Sequence, residues 1–274
     1  MANSLAKQIC FLSSSTPDNT VRIATWNVNS LNVRLERVLA FLERQQPDVL
    51  CLQETKQRDD AFAFDAFTAA GYQAIHHGEG RWNGVALLSR IGLEQPRIGF
   101  GSSEDEYGAR LIGALCGDTW VFSAYVPNGR SLDSEHFGYK MAWLAQLDAL
   151  AASFGDDEQV AILGDYNIAP RDSDVWDIAA LEGMTHVSPA ERAALASLAI
   201  HGYRDVFADQ HPEGGIYSWW DYRDGAFHKG HGMRIDLCMA SPALAKRIQD
   251  AFVDREERKG SKPSDHAPVV FDFS

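Results

Sequence analysis

From Val21 onward, short apolar runs alternate with amphipathic stretches. Runs at residues 22–27, 48–53, 85–89, 111–116, 120–126, 160–164, 235–240 and 269–273 are rich in β-branched and aromatic residues. Gly, Asn or Asp flank them, which predicts short strands. Pro47-Asp48 marks the turn into the second run. Between the first two runs, Leu35, Val38, Leu39 and Leu42 recur at helical spacing. Helical patterns also cover residues 60–70, 137–153, 189–199 and 242–248. Ser188-Pro189 and Ser241-Pro242 each place a capping residue before a proline at the first helical position.

No Gly/Ser linker, composition break or fixed-period repeat divides the chain. Strands recur from residue 22 to residue 273, so the pattern predicts one domain over residues 21–274, an α/β sandwich with sheets between helices. Residues 1–20 carry Lys7 inside their only apolar patch and end Ser-Ser-Ser-Thr-Pro-Asp-Asn-Thr. They read as a flexible leader without the apolar length or cleavage site of a signal peptide.

Composition narrows the classes. Hydrophobic residues make up 45% and aromatic residues 11% of 274 positions, enough to bury a core, which excludes global disorder. No run of about 18 apolar residues exists, so no membrane helix is expected. Cys10, Cys51, Cys116 and Cys238 form no CxxC pair, and the last three sit in apolar runs. They read as reduced, buried thiols of a cytoplasmic protein. Lys plus Arg is 25 against 38 Asp plus Glu, a net charge of −13. That excludes nucleic-acid binding by bulk positive charge and leaves only a local basic face.

The chemistry gathers at strand ends. Asn27 and Asn29 follow the first strand, Glu54 closes the second, and Asp165 and Asn167 follow the run at 160–164. Asp236 opens another strand and Asp265-His266 precede the last. Buried singly, such groups cost roughly 2–7 kcal/mol each. Grouped around one hydrated metal ion they become tolerable. The set offers oxygen and no thiolate, which suits Mg²⁺ or Mn²⁺ rather than Zn²⁺.

Trp26-Asn27-Val28-Asn29, Leu52-Gln53-Glu54-Thr55-Lys56, Gly84-Val85-Ala86, Tyr125-Val126-Pro127-Asn128-Gly129, Gly164-Asp165-Tyr166-Asn167, Arg234-Ile235-Asp236 and Ser264-Asp265-His266 occur in that order. Together they resemble the motifs of the exonuclease III family of abasic-site endonucleases, within the endonuclease/exonuclease/phosphatase superfamily. The segment Tyr217-Ser218-Trp219-Trp220-Asp221-Tyr222 narrows the resemblance to the DNA-repair branch. It implies a four-layer, DNase I-like sandwich: two β-sheets packed together and flanked by helices. It implies a monomer that uses Mg²⁺, with Mn²⁺ able to substitute. It also implies a double-stranded DNA substrate, cut 5′ to abasic sites in base excision repair, with 3′–5′ exonuclease and 3′-phosphatase trimming of blocked 3′ ends. No membrane partner is expected.

Carried over motif by motif, the resemblance makes Glu54 the principal metal ligand, with Asn27 and Asp265 near it and Asp165, Asn167 and His266 completing the set. Asp165 would activate water, Asn167 would orient water or phosphate, His266 would contact the phosphate with Asp236 on its other nitrogen, and Tyr125 would place a phenol nearby. Asn29, Lys56, Arg110, Asn128, Arg130 and Arg234 would face DNA, and Trp219, Trp220 and Met233 would wall the lesion pocket. Met233 departs from relatives with Trp or Leu there, and Asn29 from those with Asp. Arg34, Arg37, Arg58, Arg81, Arg171, Lys229 and His231 would complete a basic rim, with acids crowded at 103–106 and 155–158. A lipid-head-group phosphatase of the same fold and a catalytically dead nucleic-acid-binding relative are the competing readings. The Trp219-Trp220 segment and Asn128 count against the first, and the intact polar set against the second.

Overall fold

Ile23 packs into one apolar layer while its neighbours Ala24 and Trp26 pack into another, so the first strand is buried on both faces. The same alternation separates Cys51 from Leu50 and Leu52, and Leu163 from Ile162. Such strands read as continuous apolar runs and require a layer on each side.

The computed structural model describes residues 20–101 and 107–274. The expected leader (apart from Thr20), Cys10 and the acidic stretch at 103–106 lie outside the described residues. The strands are β1 Val21–Asn27, β2 Val49–Gln53, β3 Gln73–His77, β4 Val85–Ser89, β5 Glu94–Ile98, β6 Leu111–Cys116, β7 Thr119–Tyr125, β8 Val160–Asp165, β9 Arg204–Asp205, β10 Trp219–Trp220, β11 Gly232–Met233, β12 Asp236–Ala240, β13 Ile248–Val253 and β14 Val269–Phe273. The helices are α1 Leu31–Gln45, α2 Phe64–Ala69, α3 Glu135–Ala152, α4 Pro189–Ala196, α5 Val206–Gln210, α6 Ala226–Lys229 and α7 Pro242–Ala245.

Two six-stranded mixed sheets form, in the orders β13-β14-β1-β2-β4-β3 and β5-β6-β7-β8-β12-β9, with β10-β11 as a separate ribbon. Ile23, Val49, Cys51 and Leu87 of the first sheet meet Ala114, Val121, Leu163 and Cys238 of the second. Val38, Phe41, Leu42 and Phe67 of α1 and α2 cover the outer face of the first sheet. Trp143, Leu144, Leu147 and Leu195 of α3 and α4 cover the second. This is the four-layer sandwich that the resemblance implied. No described helix is long and apolar enough to cross a membrane.

Topology brings the polar strand ends together. β1 pairs parallel with β2, and β7 parallel with β8, so four C-terminal ends lie on one edge. β14 and β12 run antiparallel to β1 and β8 and present their N-terminal ends there. Asn27 stands opposite Gln53, and Asp165 lies between Tyr125 and Asp236. Just beneath that edge, Ser123 Oγ donates to the Leu52 carbonyl at 2.9 Å and accepts from Gln53 Nε2 at 3.0 Å. This polar tie fixes the two sheets against each other one layer below the site.

Of the strands absent from the pattern, β10 and β11 form the two-residue ribbon, and β3, β5, β9 and β13 are the four edges of the two large sheets. An edge needs no second apolar face. β5 is exposed throughout and contains Pro96, which edges tolerate. Helix boundaries shift as well. The pattern at 60–70 splits into a short turn at Asp59–Ala61 and α2. There Asp59 Oδ1 binds His76 Nδ1 at 2.7 Å and the Gly78 N–H at 2.8 Å, which ties the turn to β3. The stretch at 242–248 is helical only to Ala245, and Ile248 begins β13. Cys51, Cys116 and Cys238 are buried free thiols between the sheets.

Leu163→Ala, in the fully buried layer between the sheets, lowers unfolding stability by about 2–5 kcal/mol in urea titrations. Ile98→Ala on the exposed edge stays within about 0.5 kcal/mol of wild type. Equal losses would contradict this layering.

Candidate active site

The acid–base half of the site lies where β8, β12 and the segment before β14 meet. Asp236 heads β12, and its carboxylate meets His266 Nδ1 at 2.9 and 3.1 Å. Ser218 Oγ donates to the same carboxylate at 2.6 Å. His266 Nε2 lies 3.6 Å from Asp165 Oδ2, an ion-pair separation longer than a good hydrogen bond. Burial disfavours the imidazolium, but Asp236 and Asp165 outweigh it and push His266 up to about 10. Burial pushes the Asp165 carboxyl up to about 7, against the pull of His266 and with Asp236 and Glu54 adding to the rise.

Asp165, Asp236 and His266 are the one such group, among the described residues, whose ligand atoms are close enough to share an ion. Without an ion, Asp236 and Asp165 favour the protonated imidazole, which has no lone pair for a metal, so ligation by His266 requires loss of that proton.

The oxygen-rich half centres on Glu54. Its Oε1 accepts from Asn27 Nδ2 and from the Tyr125 hydroxyl, both at 2.9 Å. Asn27 Nδ2 also donates to Asp165 Oδ2 at 2.9 Å, so one amide joins the two sheets. Asn27 Oδ1 accepts from the Asn29 N–H at 3.0 Å. Asn27 therefore turns a donor toward the carboxylates rather than a ligand oxygen. Asn29 Nδ2 donates to Asp265 Oδ1 at 3.0 Å, and Trp219 Nε1 donates to Asp265 Oδ2 at 3.1 Å. Burial raises the Glu54 and Asp265 carboxyls, but Lys56 with its neighbours and His266 with its neighbours outweigh it, holding both below the ordinary carboxylate value.

Cation binding can be tested on this geometry. The Lys56 ammonium lies 2.8 Å from Glu54 Oε2 and 2.6 Å from Asn29 Oδ1. These oxygens already converge on one positive centre, and Asp265 stands behind Asn29. A hard divalent ion fits such a donor set. Asn29, Glu54 and Lys56 also hold left-handed backbone conformations, with φ of 43°, 52° and 51°. Backbone strain of this kind concentrates at functional sites.

Among the residues expected to face phosphate, Asn128 Nδ2 donates to Asn167 Oδ1 at 3.0 Å. Asn167 Nδ2 donates to the Val126 carbonyl at 2.9 Å. His186 Nε2 lies 3.2 Å from both Asn128 Nδ2 and Asn167 Oδ1. Asn167 thus turns its oxygen to Asn128 and His186, which does not match the expected metal ligation. Arg110 lies 4.6 Å over the Tyr125 ring and holds its carbonyl, and Arg130 is exposed.

The residues expected to wall a lesion pocket divide. Trp219 is half-buried and pairs with Met233 across the β10–β11 ribbon. Met233 packs with Ala169, Val175 and Ile235. Two assignments are corrected. Trp220 is only 1% exposed and packs with Ala226 and Ala267, so it is core rather than a pocket wall. Arg234 is fully buried between Asp174 and Asp205, at 2.9 and 2.7 Å, and cannot face DNA. The expected rim is also thinner. Arg37 pairs with Glu257, Arg58 with Asp60 and Arg171 with Asp174, and Arg34 binds the Asn29 carbonyl. Arg81, Arg130 and Lys229 are exposed.

Ser218, His186 and Lys140 belong to this neighbourhood and escaped the sequence reading. None ends a long strand, and only Ser218, inside the Tyr217–Tyr222 segment, carried any signal.

The Endonuclease/Exonuclease/phosphatase family matches residues 24–266. Exodeoxyribonuclease III of Haemophilus influenzae is 33% identical over 269 residues, 92% of this chain and all of that protein. The structure of an AP endonuclease from Archaeoglobus fulgidus superposes with a TM-score of 0.89 at 36% identity, covering 93% of this chain and 99% of that one. The 3′-5′ exonuclease of Neisseria meningitidis superposes with a TM-score of 0.90 at 38% identity, covering 93% of this chain and all of that one.

His266 gives a direct check. Its ordinary value is 6.5 and its folded value about 10, so its contribution to stability is full below 6.5 and lost as pH rises through 10. Its ring resonances stay in the protonated position through pH 8 in NMR titrations of the metal-free protein, and Asp236→Asn restores titration near neutrality. A wild-type midpoint near 6.5 would refute the buried ion pair.

Proposed function

The chain belongs to the endonuclease/exonuclease/phosphatase family, and from that membership we propose a metal-dependent DNA-repair phosphodiesterase. Its substrate is double-stranded DNA, cut 5′ to an abasic site, and it also trims 3′ ends as a 3′–5′ exonuclease and 3′-phosphatase. The observation that carries this reading is the cationic His266, held by Asp236 and aimed at Asp165 across 3.6 Å. An acid–base pair beside a cluster of hard oxygen donors suits the hydrolysis of a phosphate ester.

Asp165 acts as the general base: it takes a proton from water as the water oxygen bonds to phosphorus and the bond to the 3′-oxygen breaks. Its elevated value places it near neutrality, where a base works best. The Asn167 N–H bonds Asp165 Oδ1 at 2.9 Å, and Asn27 bonds Oδ2 at 2.9 Å, which fixes the carboxylate's direction. His266 and Lys56 set positive charge against the phosphate oxygens, where negative charge grows in the transition state. Tyr125, whose phenol burial keeps protonated, donates from the Glu54 side. Glu54 and Asp265 would hold Mg²⁺, with Mn²⁺ able to substitute, and the bound ion would neutralise developing phosphate charge.

Trp219 and Met233 offer an apolar wall for a sugar that lacks its base. A base-free sugar fits where a full nucleotide does not, so rigidity of the wall sets selectivity. The lipid-phosphatase reading has no comparable support: the relatives named above are nucleases.

A duplex with one abasic analogue is nicked 5′ to the lesion with Mg²⁺ and not with EDTA; no metal-dependent nick sinks the proposal. Asp165→Asn lowers kcat by about 10²- to 10⁴-fold while DNA binding persists in gel-shift assays. Turnover at the wild-type rate would remove Asp165 from the base's role. Trp219→Ala slows abasic cutting more than removal of a 3′-phosphate, and equal slowing would make Trp219 merely structural.

A further inference from the structure

Lys140 of α3 is a fully buried charge that the mechanism leaves unused. Its ammonium contacts Glu191 Oε1 of α4 at 2.5 Å, and both side chains are wholly excluded from solvent. Stability alone does not explain this arrangement. Desolvating two charges offsets most of their attraction, and well-packed apolar residues of similar volume often do as well.

What apolar residues could not do is hold backbone groups. Lys140 Nζ donates to the Asn167 carbonyl at 2.8 Å and reaches the Asn128 carbonyl at 3.4 Å. On the other side of the pair, Glu191 Oε1 accepts from the His186 N–H at 3.0 Å. Glu191 Oε2 accepts from Ser188 Oγ at 2.5 Å and from its N–H at 3.2 Å. Three loops thus end on one ion pair: those after β7, after β8 and before α4. The side chains they carry, Asn128, Asn167 and His186, are the ones that meet at the phosphate side. Gly129 permits the close approach. Its φ is +86°, and a Cβ there would sit 3.1 Å from Lys140 Cδ.

We propose that the buried Lys140–Glu191 pair is a positioning device that sets Asn128, Asn167 and His186 in register against the substrate phosphate. The inference rests on the nuclease reading. Lys140 and Glu191 touch no substrate and act through the loops they hold. A displacement of about 1 Å in such groups can cost on the order of 100-fold in rate.

The test uses the full chain and a duplex with an abasic analogue, and starts from wild type. Absence of wild-type cleavage would defeat the nuclease reading and, with it, this one. Given wild-type cleavage, Lys140→Met lowers kcat per folded molecule by roughly 10- to 100-fold at a temperature well below its Tm, with KM for DNA within about threefold. Lys140→Met with Glu191→Gln removes the unpaired buried charge and recovers Tm, but kcat stays low because a thioether cannot donate to the Asn167 carbonyl. Recovery of kcat together with Tm, or a fall in Tm alone, would overturn the proposal. A cycle with Asn167→Ala gives a second reading: if Lys140 acts through Asn167, the double variant is no slower than Asn167→Ala. Losses that multiply in full on a background of Asn128→Ala, Asn167→Ala and His186→Ala together would also overturn it, even if Lys140→Met folds poorly.

Discussion

Four carboxylates, those of Glu54, Asp165, Asp236 and Asp265, crowd the edge where the two sheets join, and the rest of the site follows from how their charge is balanced. Each is answered differently. Asp236 has His266 and Ser218, Glu54 has Lys56, Asn27 and Tyr125, and Asp265 has Asn29 and Trp219. Asp165 has no hydrogen bond from a full charge: His266 stands 3.6 Å off, and amide donors supply its hydrogen bonds. Pairs of titratable groups pushed apart by their surroundings divide the work of acid and base. Here one histidine is kept charged and one aspartate is kept close to neutrality.

The balance depends on a seam. No single sheet contains the site: Glu54 and Asn27 come from the first, Tyr125, Asp165 and Asp236 from the second. Asn27 joins them through one amide nitrogen, and the Ser123–Leu52 and Ser123–Gln53 bonds hold the sheets level beneath it. A slip between the sheets would separate Asp165 from Glu54 before any hydrophobic layer failed.

Much of this was legible in the residues. Central strands buried on both faces appear as apolar runs, and their polar terminations marked Asn27, Glu54, Asp165, Asp236 and His266 before any geometry was known. The motifs implied the four-layer sandwich that periodicity alone left as an α/β sandwich. The edge strands were invisible because an edge needs only half a pattern, as the exposed Glu94–Ile98 shows. Charge misled in a different way. Arg234 lies two residues before Asp236, yet its side chain runs inward to Asp174 and Asp205. Lys140 looked like an ordinary helix lysine, since its partner Glu191 is 51 residues away. The net charge of −13 keeps its meaning as a constraint, and a stronger one, because Arg234 is buried and Arg37 and Arg171 are engaged by carboxylates of the protein.

The pairing of β1 with β14 couples the site to a long-range contact. Val21 lies opposite Phe273, and Asp265 and His266 arrive just ahead of that last strand. One side of the first strand is closed by β2 nearby in sequence and the other by a strand about 250 residues away, a non-local closure of the kind that slows folding. Until that strand docks, Asp236 and Asp165 lack the imidazole of His266. Completion of the site is therefore coupled to the slowest, longest-range pairing of the first sheet.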